Sequence, residues 1–385
     1  MILYLTATAA VMVFACGILS RRERACTVGL SPRGKISRRV LTGRVLLAGI
    51  FAILFGILAL RINVGNDYAK YVEFMHLARF GGYVPTEPGF NFLAWSAYRI
   101  FGEENFLFCF GVMAFVTVAA FLAAIDGLAD SFPVSFAMFM LLGYYFQSIS
   151  TVRYYLALAV TTWAIVCLLK KDWPKFVLLV LFAASFHKSA LLVLVLYPFA
   201  LLRFRRELLV LLGAGGLAAF LLRAQVLRVV LFLYPTYQET SYAAGGEGSL
   251  ISVFRCAAVL LLTVLYDRGS LLGGGDTEDE ADGRMRFYCH CNLLALILYI
   301  CFNYLPVISR IGYYLTITQI FYVPALLRRV PAGVRRKLAC AGTALFCLVF
   351  FVHMMRHASA DGFRILPYQT FLFHDMPPIL SDTGY

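Results

Sequence analysis

Phe106-Leu107-Phe108-Cys109-Phe110-Gly111-Val112-Met113-Ala114-Phe115-Val116-Thr117-Val118-Ala119-Ala120-Phe121-Leu122-Ala123-Ala124-Ile125 contains no charged side chain. Coiled as an α-helix at about 1.5 Å per residue, twenty such residues reach about 30 Å, the thickness of a bilayer's hydrocarbon core. A run of this kind is a membrane span. Working outward from it, similar apolar runs recur at 2–19, 45–62, 133–149, 154–169, 175–186, 189–202, 207–222, 249–266, 287–305, 311–327 and 338–355. The composition agrees: of 385 residues 61% are hydrophobic and only 14% charged, with a mean hydropathy of +0.79. A soluble domain carries about a quarter charged residues, so this chain lacks the polar surface to face water all round. The fold expected is all-α: a polytopic integral membrane protein of about 12 transmembrane helices. A bundle in a membrane grows laterally and needs no second core, so residues 1–385 are expected to form a single membrane domain.

The formal net charge of +13 does not point to nucleic acid, because the basic residues sit between apolar runs and not on one solvated face. Arg21, Arg22 and Arg24, then Arg33, Lys35, Arg38, Arg39 and Arg44, and later Arg328, Arg329, Arg335, Arg336 and Lys337 form the clusters that mark cytoplasmic loops. The first run, Ile2 to Leu19, has its charges after it and not before it, which is unlike a signal peptide. It is expected to be a first span with its N-terminus outside. Alternation then places 22 of the 34 lysines and arginines in cytoplasmic loops. One of these loops, 267–286, is acidic and glycine-rich and reads as a linker. Outside lie 63–105, 223–248 and the tail 356–385. Within 63–105, Phe90 to Arg99 is aromatic and amphipathic but too short to cross, so an interfacial helix is expected there.

Most cysteines lie in apolar runs, where a thiol acts as a small hydrophobe. Cys289-His290-Cys291 lacks zinc-site spacing, and no metal or other cofactor is expected.

From Phe176 to Leu202 the chain is almost wholly apolar, interrupted by His187-Lys188. One helix across it would place Arg203, Arg205 and Arg206 outside, against the charge rule. Two helices meeting at His187 are each short of a full crossing, so the turn sits below the outer surface. A His-Lys turn at that depth needs protein or a wet cavity around it.

The same topology gathers polar groups on the outer side: Asp67 with Tyr68 and Tyr71, Arg153 followed by Tyr154, His187-Lys188, and Arg310 before Tyr313 and Tyr314. An arginine at a helix end often only snorkels to headgroups. Two of them beside a sunken His-Lys turn favour an anionic ligand in an outward cavity. The planar fork of arginine grips phosphate oxygens bidentately and stays charged, so Arg153 and Arg310 are candidate diphosphate ligands, with Lys188 as a further point charge. If a sugar hydroxyl is the nucleophile a base is required, and Asp67 and His187 are the candidates. The plainer roles are a helix cap for Asp67 and a structural turn for His187. The flanking Tyr68, Tyr71, Tyr154, Tyr313 and Tyr314 are candidate contacts for glycan or lipid.

Several stretches occur in a telling order: Val64-Gly65-Asn66-Asp67-Tyr68 with Tyr71; Glu87-Pro88-Gly89-Phe90 with Leu93; Val152-Arg153-Tyr154-Tyr155-Leu156-Ala157; Ser185-Phe186-His187-Lys188-Ser189-Ala190; Ser309-Arg310 with Tyr313-Tyr314; and Leu366-Pro367-Tyr368. The set resembles the EpsG branch of the Wzy-type polysaccharide polymerases. The resemblance implies a metal-independent glycosyltransferase with a GT-C-like architecture in the bacterial inner membrane, its active site facing the periplasm or exterior. It further implies that undecaprenyl-diphosphate-linked oligosaccharide serves as both donor and acceptor, with membrane lipid around it and a chain-length regulator as a further partner. One position departs from the pattern: glutamine is expected after the first arginine, where this chain has Tyr154. Rival readings are an O-antigen ligase-type transferase, a membrane acyltransferase with His187 as base, and, from another class, a flippase or transporter of lipid-linked glycan.

The topology has a direct test. A single cysteine placed at Ser359 in an otherwise cysteine-free chain is expected to react with a membrane-impermeant thiol reagent in intact spheroplasts. Reaction only after permeabilisation would invert the scheme.

Overall fold

The structure, a computed structural model, describes residues 1–18, 38–79, 84, 86–103, 105–233, 250–272, 280–305 and 308–374. Most of the basic loop 20–44, the glycine-rich part of 267–286, much of 223–248 and the end of the tail lie outside the described residues.

Those residues are helical, with no strand among them and one isolated bridge, Arg61 to Thr370. The helices are α1 (Ile2–Cys16), α2 (Arg38–Ala59), α3 (Tyr68–Arg79), α4 (Pro88–Phe101), α5 (Phe106–Leu128), α6 (Phe132–Leu141), α7 (Tyr144–Ser150), α8 (Val152–Leu169), α9 (Trp173–Phe186), α10 (Val193–Leu201), α11 (Arg206–Leu221), α12 (Arg223–Leu233), α13 (Leu250–Tyr266), α14 (Arg268–Leu272), α15 (Glu280–Cys301), α16 (Ile308–Thr316), α17 (Gln319–Arg329) and α18 (Val334–Arg356). Among the described residues α2, α5, α8 and α18 are each long and apolar enough to cross a membrane. Two bent pairs, α6 with α7 at 43° and α11 with α12 at 83°, raise the number to six if each pair is one span. Shorter apolar helices occupy Ile2–Cys16, Trp173–Phe186, Lys188–Leu201 and Leu250–Tyr266.

The chain forms two compact units, residues 1–191 with 338–385, and residues 192–337. In the first, α8 is the central helix. Its residues from Tyr154 to Thr162 are buried without interruption, the pattern of a helix covered on every side, and it packs against α5 and α9. In α5, Phe110, Met113, Ala114, Thr117, Val118, Phe121, Ala124, Ile125 and Leu128 are buried at helical spacing, and Asn105 caps its start by accepting the Phe108 N–H at 2.9 Å. The turn from α8 into α9 is short because Lys171 takes a left-handed conformation and Asp172 caps the next helix, with Pro174 in its first turn.

After α18 the chain returns over the ends of α1 and α2. Tyr4 donates to the Ile365 carbonyl at 2.9 Å, Tyr368 to the Ile57 carbonyl at 3.1 Å, and the Ile62 N–H to the Gln369 carbonyl at 3.0 Å. These contacts enclose Arg61, which is fully buried. Its guanidinium donates to the carbonyls of Leu58 and Val64 and lies 5.2 Å from the Phe110 ring centre, so backbone dipoles and an aromatic face stabilise the charge.

In the second unit α15 is central, packed on α10, α11, α13, α14, α16 and α17. His290 stacks on Phe204 with ring centres 3.7 Å apart and bonds the Ala200 carbonyl through Nδ1 at 2.9 Å. Gln319 donates to Asn292 at 2.7 Å, and Asn292 to the Cys256 carbonyl at 3.0 Å, which ties α17, α15 and α13 together. Arg329 pairs with Asp267 and, at 3.0 Å, with Asp282.

The loop into α3 rests on a close approach. Gly65 has φ +105°, and a Cβ there would lie 2.3 Å from the Ile149 carbonyl oxygen. Gly65→Ala is expected to destabilise the protein by about 1–3 kcal/mol from backbone strain, with the clash added. An unchanged thermal midpoint for that variant in detergent would refute the close approach.

Candidate functional site

The site in the first unit begins with that loop. The Gly65 N–H donates to the Arg364 carbonyl at 2.9 Å, the Asn66 N–H to Ser150 Oγ at 3.3 Å, and the Asp67 N–H to the Ser150 carbonyl at 3.3 Å. Ser150 ends α7, and Arg153 follows in the first turn of α8. The loop is therefore fastened beside Arg153, far from it in sequence. The Asp67 carboxylate accepts the Tyr71 hydroxyl at 3.1 Å, one helical turn on. Burial raises the Tyr71 phenol well above its ordinary range; the charge of Asp67 adds to this and Arg153 opposes it. Tyr71 thus stays protonated and serves as a donor.

Arg153 lies 5.1 Å from the Tyr71 ring centre and 5.5 Å from that of Phe90. One terminal nitrogen pairs with Glu87, the two side chains being 14% and 17% exposed. The other Glu87 oxygen accepts the backbone N–H of Lys188 at 3.2 Å. Glu87 immediately precedes Pro88 at the start of α4, in an extended conformation suited to a pre-proline residue. The start of α4 presses onto the end of α9: a Cβ at Gly89 would lie 2.5 Å from Ser185 Oγ and 2.7 Å from the Ser185 carbonyl oxygen.

The stretch 176–202 does break at His187. Helix α9 ends at Phe186, His187 is extended (φ −153°, ψ 110°), and Lys188–Leu192 form a 3-10 turn. The His187 ring bonds Ser189 Oγ through Nδ1 at 2.7 Å and meets the Tyr154 ring edge-on, with centres 5.3 Å apart. The position where glutamine was expected thus carries an aromatic wall for His187. The Lys188 side chain is exposed.

The structure therefore brings together Asp67, Tyr71, Arg153, Tyr154, His187 and the Lys188 backbone. Tyr68 instead faces the core, stacked on Phe110 at 4.4 Å with rings nearly parallel. Arg310, Tyr313 and Tyr314 are on α16 of the second unit. There Arg310 and Tyr313 are partly exposed, while Tyr314 is buried and its carbonyl accepts the Tyr197 hydroxyl at 2.7 Å. Cys289 and Cys291 are buried, and His290 is used in packing.

A family model described as the EpsG family matches residues 44–370, most of the chain. The chain belongs to the EpsG family. EpsG proteins are Wzy-like polymerases, and membership points to a polysaccharide polymerase role. The EpsG match covers every residue of the cluster and ends at Thr370, where the returning tail bridges Arg61. No curated protein and no solved structure matches the chain.

Glu87 is the residue that sequence reasoning passed over. It stands in the Glu87-Pro88-Gly89-Phe90 run that carries the resemblance, yet its two partners are remote in sequence, and nothing local distinguishes it from an ordinary helix-start glutamate.

The Tyr71–Asp67 bond is testable. Tyr71→Phe keeps the ring against Arg153 and removes the donor; it is expected to cost about 1.5 kcal/mol, the low end for a hydrogen bond to a charged group. Thermal unfolding at neutral pH checks this, and a midpoint equal to wild type would dismiss the bond as a contributor.

Proposed function

We propose that this EpsG-family chain joins undecaprenyl-diphosphate-linked oligosaccharide repeat units at the outer face of the bacterial inner membrane. It would do so as a metal-independent glycosyltransferase of about 12 spans with GT-C-like architecture, the shorter apolar helices being sunk within protein. The observation that carries the reading is that Glu87 holds both Arg153 and the His187-Lys188 turn, while Asp67 reaches the same group through Tyr71, whose ring lies against Arg153, and His187 meets Tyr154, the residue after Arg153. These are the residues on which the chemistry of a lipid-diphosphate donor was expected to rest.

In the reaction the anomeric carbon of the growing glycan loses its bond to the donor diphosphate, and the electron pair leaves with the diphosphate. A hydroxyl oxygen of the incoming lipid-linked unit forms the new glycosidic bond, and its proton passes to Asp67 or His187. Arg153 neutralises the charge that grows on the leaving diphosphate, a contact stronger in the transition state than in the ground state and therefore effective on turnover. Lys188, exposed at the turn, adds a point charge, and Arg310 is the second arginine assigned to the diphosphate. Tyr71, Tyr154 and Tyr313 are assigned to the glycan or lipid. The packing of Tyr68 and Tyr314 supports a framework role for those two.

The test is extension of a purified lipid-linked repeat unit by purified protein, read as a mass ladder. A transporter leaves the unit at its starting mass, and a ligase lengthens only a different acceptor. Arg153→Ala and Arg310→Ala are expected to insert and purify normally and to lose about a hundredfold to a thousandfold in rate. Arg153→Lys is expected to recover only part of this, since it keeps the charge without the fork. Near-normal polymer length from either alanine variant removes that arginine from the reaction.

A further inference from the structure

We propose that Glu87 is a positioning residue for this reaction, holding the Arg153 guanidinium and the His187-Lys188 turn in one geometry through its two carboxylate oxygens; the inference rests on the polymerase reading.

The argument starts from where the carboxylate is rooted. Glu87 is the residue before Pro88, so its backbone is confined to extended conformations, and φ −74° with ψ 155° fits that confinement. Two residues on, Gly89 lies so close to Ser185 that no side chain fits, which fixes the start of α4 against the end of α9. A carboxylate on so constrained a backbone is a firm anchor.

Each oxygen is then committed to a different segment. One pairs with Arg153 in the first turn of α8, 66 residues away in sequence, and the other takes the Lys188 N–H, 101 residues away. Arginine has a long, rotamer-rich side chain, and a fork that is not held can point in many directions. Here one nitrogen is held by Glu87 while the aromatic rings of Tyr71 and Phe90 flank the group. Among the described residues the buried Arg153 Nε has no hydrogen-bond partner, which leaves the held guanidinium a donor to offer a ligand. The Lys188 N–H is the first backbone donor after the break at His187. Fixing it sets the turn that carries His187. Both oxygens face protein donors, so Glu87 acts on the reaction through Arg153 and the turn, and proton transfer remains with Asp67 or His187.

The experiment measures kcat and KM for extension of a lipid-linked repeat unit isolated from cells that lack the polymerase. Proteins compared are wild type, Glu87→Gln, Glu87→Ala, Arg153→Lys, and Glu87→Ala combined with Arg153→Lys. A misplacement of about 1 Å in a catalytic group costs on the order of a hundredfold, so Glu87→Ala is expected to lower kcat about a hundredfold with KM changed less than about threefold. Glu87→Gln, which keeps an oxygen acceptor of the same reach, is expected to recover about tenfold of that loss. In the Arg153→Lys background the alanine change is expected to cost clearly less than its hundredfold in wild type, because the fork it served is already gone and only its hold on the turn is left to lose. Wild-type kcat in Glu87→Ala, a loss confined to KM, or losses that multiply fully in the double variant would each overturn the proposal. Backbone amide exchange of purified Glu87→Ala, read at residues 187–190, is expected to speed up at least about tenfold relative to wild type. That readout needs no turnover: if wild type fails to extend the unit the polymerase reading falls by itself, while unchanged exchange at Lys188 overturns the Glu87 hold. Should Glu87→Ala aggregate, the isosteric Glu87→Gln carries the same comparison, with a kcat loss of about tenfold expected and wild-type kcat counting against the proposal.

Discussion

A backbone break inside an apolar stretch has to be met by protein groups, and in this chain the break at His187 governs what surrounds it. Where water is scarce each unmet N–H or C=O costs several kcal/mol, so a helix that stops early must hand its polar groups to neighbours. The His187 N–H still closes α9 on the Ala183 carbonyl at 3.0 Å, and the Ala190 N–H returns to the His187 carbonyl at 3.0 Å. Lys188 has the donor that no helix can satisfy, and Glu87 accepts it. Once Glu87 is committed there, α4 must begin beside the end of α9, which accounts for Gly89 against Ser185. Its second oxygen then falls to Arg153. The ion pair follows from the break and is not an independent decoration of it.

The other wall of the cluster is built by the same kind of close approach. Without a strong hydrophobic drive between helices in lipid, small residues that let backbones meet and polar groups that bond across them supply much of the association. Gly65 against Ile149 and the Ser150 bonds to Asn66 and Asp67 do this for the loop before α3. The tail reinforces it from behind, since Arg364 accepts from Gly65 and residues 369 and 370 pair alongside Arg61. Arg61 itself is held by carbonyls and a ring, and the tail closes over it.

Much of this was legible in the sequence. Among the described residues each of the twelve apolar runs lies mostly on helix, because a long apolar run leaves the backbone few other ways to satisfy itself. Among the described residues four helices reach full spanning length, and α6 is cut short at Gly143, with φ +79°, before α7. The turn at His187 was legible for the reason given above: charge in mid-run and a cluster of arginines after it. Asp67, Arg153 and His187 were legible as residues that apolar surroundings do not explain. Glu87 was not, because its meaning lies in contacts 66 and 101 residues away that no periodicity encodes. The inward turn of Tyr68 was hidden for a similar reason. An aromatic residue beside an acid looks the same in sequence whether it faces a ligand or stacks on Phe110.

Charge balance gives the cluster its final constraint. An arginine drawn out of water needs compensation, and a partly buried carboxylate beside it supplies that at the cost of some affinity for any other anion. Within the first unit Arg153 and Lys188 are offset by Glu87 and Asp67, so the cluster is formally near neutral. A neutral cluster is compatible with a low-dielectric setting, and it also keeps either arginine or lysine from seizing an anion so tightly that product leaves slowly. A diphosphate, which brings net negative charge, then calls for positive charge beyond these four groups. For the proposed chemistry that is the physical reason to treat Glu87 as part of the device that sets how strongly Arg153 binds as well as where it points.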